Sequence, residues 1–472
     1  MAETPGLDWR VLRAVAIVFL LARLALLFLA HPYMDETYYW MWGQHPALSY
    51  FDHPALIGWT QGLAALLGWN VVALRLFPLL TLCADLLLLW LLAKRAAGDS
   101  WRDSFWTIAA VFLSAPIFIL LTGSALPDHL LLCFALLTVY AVESLKQTGK
   151  PGWLYLAGLA IGLAMLSKYT GALLGAGLVI YLLATPSLRP LFRSPHLYLA
   201  ALLALALQLP VLVWNLQNGF ASFGFIVDGR SGLGGNGTWW TGLGGYLGGA
   251  VAVLSPMLAA VMLRFAFRRG DEQLYPRLVF WLSSLAFLVA SLLTNILIHW
   301  NAVAYIVVLP FLWPLLRARW LMVLQLIYGA IAIVAAAFNF AVMPIGATYT
   351  VADQTSSWSY GWDEIAANLK EIEQTQHVDF IAASDYALAS PLAFALHDKD
   401  VTSLSPRREE YDYWFDPEAH RGQSALIVAD RWRPLNVGSH FASVTELAQI
   451  DTSRFGRIIG HYRIYLGTGY TP

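Results

Sequence analysis

Long apolar runs parted by short polar breaks fill the chain as far as about residue 343. A bilayer demands roughly 17 to 25 apolar residues per helical crossing. Runs of that order lie near 11–30, 71–93, 105–122, 127–145, 152–168, 170–186, 197–214, 239–263, 278–298, 302–316 and 320–342. The pattern predicts about eleven transmembrane helices. The pair within 152–186 is divided only at Ser167-Lys168-Tyr169-Thr170. Val11–Ala30 is long enough to span, so the segment ahead of it reads as the flank of an uncleaved first helix rather than as part of a signal peptide. From about Pro344 charges and short alternating segments replace the long runs. Asp363–Thr375 reads as an amphipathic helix, His377–Ser384 as a strand, Tyr386–Leu396 as a helix, and Ala425–Asp430 and Arg457–Leu466 as strands. About 125 residues of this kind make a small α/β domain, which divides the chain into 1–343 and 344–472.

Composition agrees with the pattern. Of 472 residues 58% are hydrophobic and 12% charged, with a mean hydropathy of +0.59, far from soluble proteins. The net charge of −1 leaves no basic footprint for nucleic acid. Cys83 and Cys133 both fall in apolar runs, which argues against a disulfide framework and a cysteine metal site. Lysine and arginine are retained on the cytoplasmic side of a membrane. With the N-terminus inside, the inner segments hold Arg10, Arg13, Lys94, Arg95, Arg102, Lys146, Lys150, Arg189, Arg193, Arg264, Arg268, Arg269, Arg277, Arg317 and Arg319. The outer loops of the membrane region hold only Lys168 and Arg230. An odd number of crossings then puts 344–472 on the outer face.

The polar breaks become informative once they have a side. The first outer loop, 31–70, contains MDETYYWMWGQHPALSYFDHPAL, with Asp35, Glu36 and Asp52, His45 and His53, and no lysine or arginine. Tyr33, Tyr38, Tyr39, Trp40, Trp42, Tyr50 and Phe51 crowd these acids, and aromatic rings favour headgroup level, so the loop is expected to lie along the surface as short interfacial helices. An aromatic belt with solvated acids is the plain alternative. Asp128 and His129 interrupt LTGSALPDHLLL, Lys168 and Tyr169 follow, Arg230 lies in a later loop, and His299-Trp300-Asn301 ends the ninth run. Each alone reads equally as a helix-end charge or polar turn. Together they place ionisable groups at one depth on one face. Transfer from a lipid-linked phosphosugar needs such a set: a cation for the leaving phosphate, rings for sugar or prenyl chain, and a carboxylate to take the acceptor's proton.

DETYYW, SYFDHPAL, ALPDHLLL, SKYTG, VLVWNLQNGFASFGF and HWNAVAY, in this order, resemble the bacterial polyprenyl-phosphate-sugar-dependent glycosyltransferases of the GT-C fold. The resemblance is to the branch of the rhizobial lipopolysaccharide galacturonosyltransferases, and more distantly to aminoarabinose transferases of lipid A and protein O-mannosyltransferases. It covers about residues 30–310. It implies a polytopic helical GT-C membrane domain with a small periplasmic α/β domain at the C-terminus, in a bacterial inner membrane. It also implies inverting transfer of a sugar from a polyprenyl-phosphate donor to a cell-envelope acceptor. Carried over by position, Asp35 is the leading catalytic acid with Glu36 beside it, Asp128 is the second acid, and Lys168 and Arg230 face the donor phosphate. Tyr50, Asp52, His53, His129, Tyr169, His299 and Trp300 complete the substrate-binding set. The family's usual TPD is LPD here, and His129 follows where a small residue is common.

Several other signals stay open or fall away. GLGGNG, 232–237, matches a dinucleotide fingerprint only by letters, since no strand precedes it. Gly244, Gly245, Gly248 and Gly249 have the spacing of close helix packing. His45, Asp52, His53, Asp128 and His129 are a possible divalent-cation set, but their spacing is no recognised ligand pattern, so no cofactor is expected. Arg23, Arg75 and Asp85 fall within apolar runs, where pairing between helices is the plain reading and a proton path the other. A transporter is therefore the rival class, and it predicts internal repeats that the sequence lacks. A non-catalytic lipid-binding scaffold would not need Asp35. For the acceptor, a lipid-anchored glycan such as lipid A or lipopolysaccharide core is expected, and a protein acceptor is the alternative. Arg407, Arg408, Tyr411, Tyr413 and Trp414 form a surface suited to it, unless Arg407-Arg408-Glu409-Glu410 is a solvated turn.

Overall fold

Apolar helices account for most of the computed structural model, which describes residues 6–226, 239–270, 272–349, 354, 356–436 and 440–472. The chain forms two compact units that do not follow chain order. One comprises Met1–Leu27, Leu48–Leu56 and Phe77–Val334, the other Phe28–Ala47, Ile57–Leu76 and Ala335–Pro472.

The first unit is built on Pro127–Thr148, whose apolar window is 83% buried, against 28% for Trp9–Leu29. Pro127 opens this helix at a position where its missing N–H costs nothing, and Gly149, at φ 64°, closes it. Small residues let neighbouring helices approach: a Cβ on Gly158 would lie 2.3 Å from the Ala200 carbonyl oxygen. Of the glycines singled out in Trp239–Leu254, only Gly249 is tightly packed, against Ile298. Val18, Leu21, Leu202, Leu205 and Val289 face outward, as lipid-facing residues must. Among the described residues five helices are long and apolar enough to cross a bilayer, or up to eight if each bent pair is one crossing. The difference from about eleven apolar runs has a local cause. Trp153–Ser167 is too short by itself, and Ala172–Ala184 and Trp239–Leu254 each end at a proline-led bend.

The second unit contains a five-stranded sheet of order β2-β1-β3-β5-β4. Its strands are β1 (Phe380–Ala383), β2 (Thr402–Ser403), β3 (Ala425–Asp430), β4 (Phe441–Arg454) and β5 (Arg457–Tyr470). β2, β1 and β3 run parallel, and β5 and β4 return antiparallel. β3 is buried along its whole length, which is why its sequence is an unbroken apolar run. The Asp385 carboxylate caps Tyr386–Leu396 by accepting a bond from the Ala387 amide at 2.9 Å.

Against this helix packs Met34–Gln44 from the acidic, aromatic loop after the first helix. Trp40, Met41 and Trp42 are fully buried, with Trp40 edge-on to Phe394 and Tyr38 tilted on Tyr386. The rings expected to lie at headgroup level are thus largely core residues of the second unit. A Cβ on Gly43 would sit 2.3 Å from the Gly62 nitrogen, so this helix and the one beginning at Leu56 meet backbone to backbone. Glu409 and Glu410 are also buried, and the Glu410 amide donates to the Tyr38 hydroxyl at 2.9 Å, so Arg407–Glu410 is no solvated turn.

Candidate functional site

In the first unit the LPD turn delivers a carboxylate. Asp128 stands in the first turn of Pro127–Thr148, where the helix dipole favours negative charge. Lys168 ends Trp153–Ser167 in extended backbone, and that break turns its side chain back onto Asp128. Lys168 Nζ donates to Asp128 Oδ1 at 2.8 Å and Oδ2 at 2.9 Å, with both side chains 4% exposed. His299 and His129 lie within electrostatic reach of the same carboxylate. His129 is fully buried; its Nδ1 pairs with the Thr81 hydroxyl at 3.0 Å, and its Nε2 has no partner among the described residues. The Tyr169 hydroxyl pairs with Ser222 at 2.7 Å. Trp300 packs on Phe287, and Asn301 beside it is a tie: it accepts from Ser283 at 2.6 Å and donates to Tyr246 at 2.9 Å and Ser284 at 3.1 Å. Tyr50, Asp52 and His53 are buried in the same unit, with Phe51 against Phe225.

In the second unit the adjacent acids Asp35 and Glu36 have different fates. Both stand in the first turn of Met34–Gln44. Glu36 is fully buried and accepts from Arg75 Nε at 2.8 Å and Nη2 at 2.6 Å, and from the Tyr33 amide at 3.0 Å. Arg75 also donates to the carbonyls of Ala30 at 2.8 Å and His31 at 3.1 Å. This bidentate geometry ties the first turn of Met34–Gln44 to Arg75 and, through it, to the 30–31 backbone. The residue read as catalytic beside Asp35 is thus paired with Arg75 in this structure. Asp35 is only half-buried. Burial and then the Asp35 charge push the Tyr33 phenol up, while Arg433 pulls it down, which sets an arginine of the far sequence close to this turn. Arg433 bonds Asp385 at 3.2 Å and Asp430 at 3.3 Å, beyond the carboxyl ends of β1 and β3.

The first unit thus brings Asp128, Lys168, His129 and His299 together, and the second carries Asp35, Glu36 and Arg75. Arg230 lies outside the described residues, as does the 232–237 glycine run. His45 is occupied in the second unit, stacked 4.3 Å from Trp414 and bonded to the Lys399 carbonyl at 2.9 Å. No group of three or more histidine, cysteine or acidic residues converges among the described residues as metal ligands would. Arg23 donates to the Phe118 carbonyl at 2.7 Å and to Thr122, with Asp85 in electrostatic reach. Sequence reasoning missed Thr81, whose partner is 48 positions away, and Arg433, which bonds Asp385 at the same separation as well as the nearby Asp430.

Residues 52–214 match the family model described as dolichyl-phosphate-mannose-protein mannosyltransferase. The chain is 28% identical over 288 residues to the lipid A galacturonosyltransferase RgtD of Rhizobium johnstonii, covering 58% of each chain. It is 28% identical over 189 residues to the lipopolysaccharide core galacturonosyltransferase RgtB of the same organism, covering 39% of this chain and 37% of that one. The alignments therefore span under two thirds of these relatives. The crystal structure of ArnT from Cupriavidus metallidurans bound to undecaprenyl phosphate superposes over 97% of both chains, at a TM-score of 0.63 and 16% identity. That likeness establishes the fold.

Proposed function

We propose, from the premise that the chain is a GT-C membrane protein of the protein-mannosyltransferase-like superfamily, that it transfers a sugar from a polyprenyl-phosphate donor to a lipid-anchored envelope glycan. The observation that carries this reading is the buried ion pair of Lys168 with Asp128 beside two histidines, on a fold whose solved relative holds undecaprenyl phosphate. An acceptor hydroxyl attacks the anomeric carbon and passes its proton to Asp35. The bond from that carbon to the phosphate oxygen breaks, its electron pair leaves with polyprenyl phosphate, and the configuration inverts. Lys168 meets the charge that grows on the phosphate. Asp128 orients the ammonium and shares it with the phosphate, while Arg230 is the second candidate cation. Tyr50, Asp52, His53, His129, Tyr169, His299 and Trp300 are assigned to the substrates. Glu36 and Arg75 hold the turn that bears Asp35.

The acceptor is lipid A or lipopolysaccharide core, supported by the names of the two rhizobial relatives. The reaction takes place at the periplasmic face of a bacterial inner membrane, supported by the lysine and arginine distribution. The family model's name favours one second reading, transfer to protein. Purified protein supplied with labelled polyprenyl-phosphate sugar and either extracted lipopolysaccharide or unfolded secreted peptides separates the two. Label is expected in lipopolysaccharide, and label in peptide alone would reject the glycan acceptor. With Lys168 neutralising the phosphate, chelator-treated enzyme keeps its activity; loss restored by Mn²⁺ or Mg²⁺ would assign that charge to a metal instead.

A further inference from the structure

The second unit holds a cleft of about 380 Å3 that no step of the proposed reaction uses. It falls within the range of small-molecule sites, about 300–1,000 Å3. Gly361, at φ 85°, turns the chain so that Ser359, Tyr360 and Trp362 line it, with Asp363 and Glu364 following on the first turn of Trp362–Glu373. Ser359 and Trp362 are only 5% and 6% exposed, yet Ser359 Oγ and Trp362 Nε1 have no hydrogen-bond partner among the described residues. Both atoms lie behind the cleft wall with no accessible surface, so the polar groups of this turn that a ligand in the cleft reaches are the Asp363 and Glu364 carboxylates. Asp363 and Glu364 are exposed. Arg454, also in the wall, is spent on the Val342 carbonyl at 2.6 Å and on the face of Tyr360. Phe28, Leu29 and Phe394 make the remaining surface apolar.

We propose that this cleft binds a saccharide unit of the acceptor. A sugar ring offers hydroxyls to the two carboxylates and a C–H face to the apolar wall. A phosphate would meet Asp363 and Glu364 as like charges, and an acyl chain would desolvate the two carboxylates without pairing them. The inference rests on the transferase reading only for the source of the saccharide. Its place beside the 28–32 segment, whose carbonyls Arg75 fixes, makes it a docking site rather than part of the reacting centre.

The test uses the full-length protein without donor and the lipid-free oligosaccharide released from lipopolysaccharide, followed by calorimetry and saturation-transfer NMR. Wild type binds the oligosaccharide, and the double variant Asp363→Asn, Glu364→Gln binds it about tenfold or more weakly. In turnover the same variant raises the acceptor KM by about tenfold, with kcat and the donor KM unchanged, as expected for lost uniform binding. Normal turnover by a wild type that binds no oligosaccharide would overturn the cleft and leave the transferase intact. Equal binding by wild type and variant would also overturn it. Oligosaccharide binding that depends on Asp363 and Glu364, in a protein that transfers to no acceptor, would keep the cleft and reject the transferase.

Discussion

Asp35 and Glu36 are neighbours in sequence with different surroundings, and the contrast is measurable. Asp35 is half-buried, whereas Glu36 is spent on Arg75 and the Tyr33 amide. Asp35→Asn is expected to keep expression and melting temperature while lowering kcat by about 10²–10⁴, the usual worth of acid–base help. Near-normal turnover in purified Asp35→Asn would remove it as the base. Glu36→Gln acts differently, because it leaves Arg75 buried without its counter-charge, a loss of about 3–5 kcal/mol; it should lower melting temperature and yield together with activity. The Asp128–Lys168 pair permits a sharper design. Lys168→Met strands a buried carboxylate and should destabilise by a similar amount, about 3–5 kcal/mol. Adding Asp128→Asn removes the stranded charge, so the double variant should recover most of the stability but none of the donor affinity. A double-mutant cycle read by both melting and donor titration decides the matter, since recovery of donor binding in the double variant would make the pair purely structural.

At the level of elements, what the sequence revealed followed from strength of pattern. Tyr386–Leu396 and Ala425–Asp430 lie where periodicity and unbroken apolarity put them, and Trp362–Glu373 begins one residue before its expected start. β4 escaped notice because it is mostly exposed along its length, so FASVTELAQIDTSR carries neither a clean alternation nor an apolar run. The aromatic loop was legible as an element but not in its setting: Tyr38 and Trp40 read the same whether they face headgroups or Tyr386 and Phe394 far along the chain. The 28–33 segment joins these elements and carries a pH dependence. The His31 amide donates to the Phe340 carbonyl at 2.9 Å and its ring lies 4.4 Å from Tyr360. Burial first, then the charges of Arg454 and Arg75, hold its pKa below 6.5, with Asp363 opposing. Above pH 6.5 the ring is neutral whether folded or unfolded. Below it the unfolded chain takes up the proton first, so stability falls with pH until the folded group titrates as well. Melting temperature should therefore drop between pH 7.5 and 5, and the drop should be smaller in His31→Gln; an unchanged slope in that variant would assign the dependence to other groups.

For the whole molecule, the membrane class was legible because a span imposes length and composition, whereas the pairing of Glu36 with Arg75 was not, since a separation of 39 positions hides it. The same difference of range makes orientation the prediction with the widest support. Within the first unit, Arg95 bonds Gln147 and Tyr140 and stacks on Trp153, which gathers Lys94, Arg95, Lys146 and Lys150 at the C-terminal end of Pro127–Thr148. Asp128, Lys168 and His299 gather at its opposite end. A helix of 22 residues is about 33 Å long, a full hydrocarbon thickness, so the two clusters lie on opposite sides of a bilayer. Gly6 lies against the Arg317 carbonyl, which brings the N-terminal segment to a second arginine-bearing turn. Lysine and arginine are kept inside, so the basic end is expected on the cytoplasmic side and the Asp128 end on the outer one. Single cysteines at Lys150 and Glu364, in a background with Cys83 and Cys133 replaced by serine, should then react in opposite ways with a membrane-impermeant maleimide on intact inner-membrane spheroplasts. Glu364→Cys should label without lysis and Lys150→Cys only after it. Labelling of Lys150→Cys in intact spheroplasts would invert the topology, and with it the side on which an activated lipid-linked sugar has to be supplied.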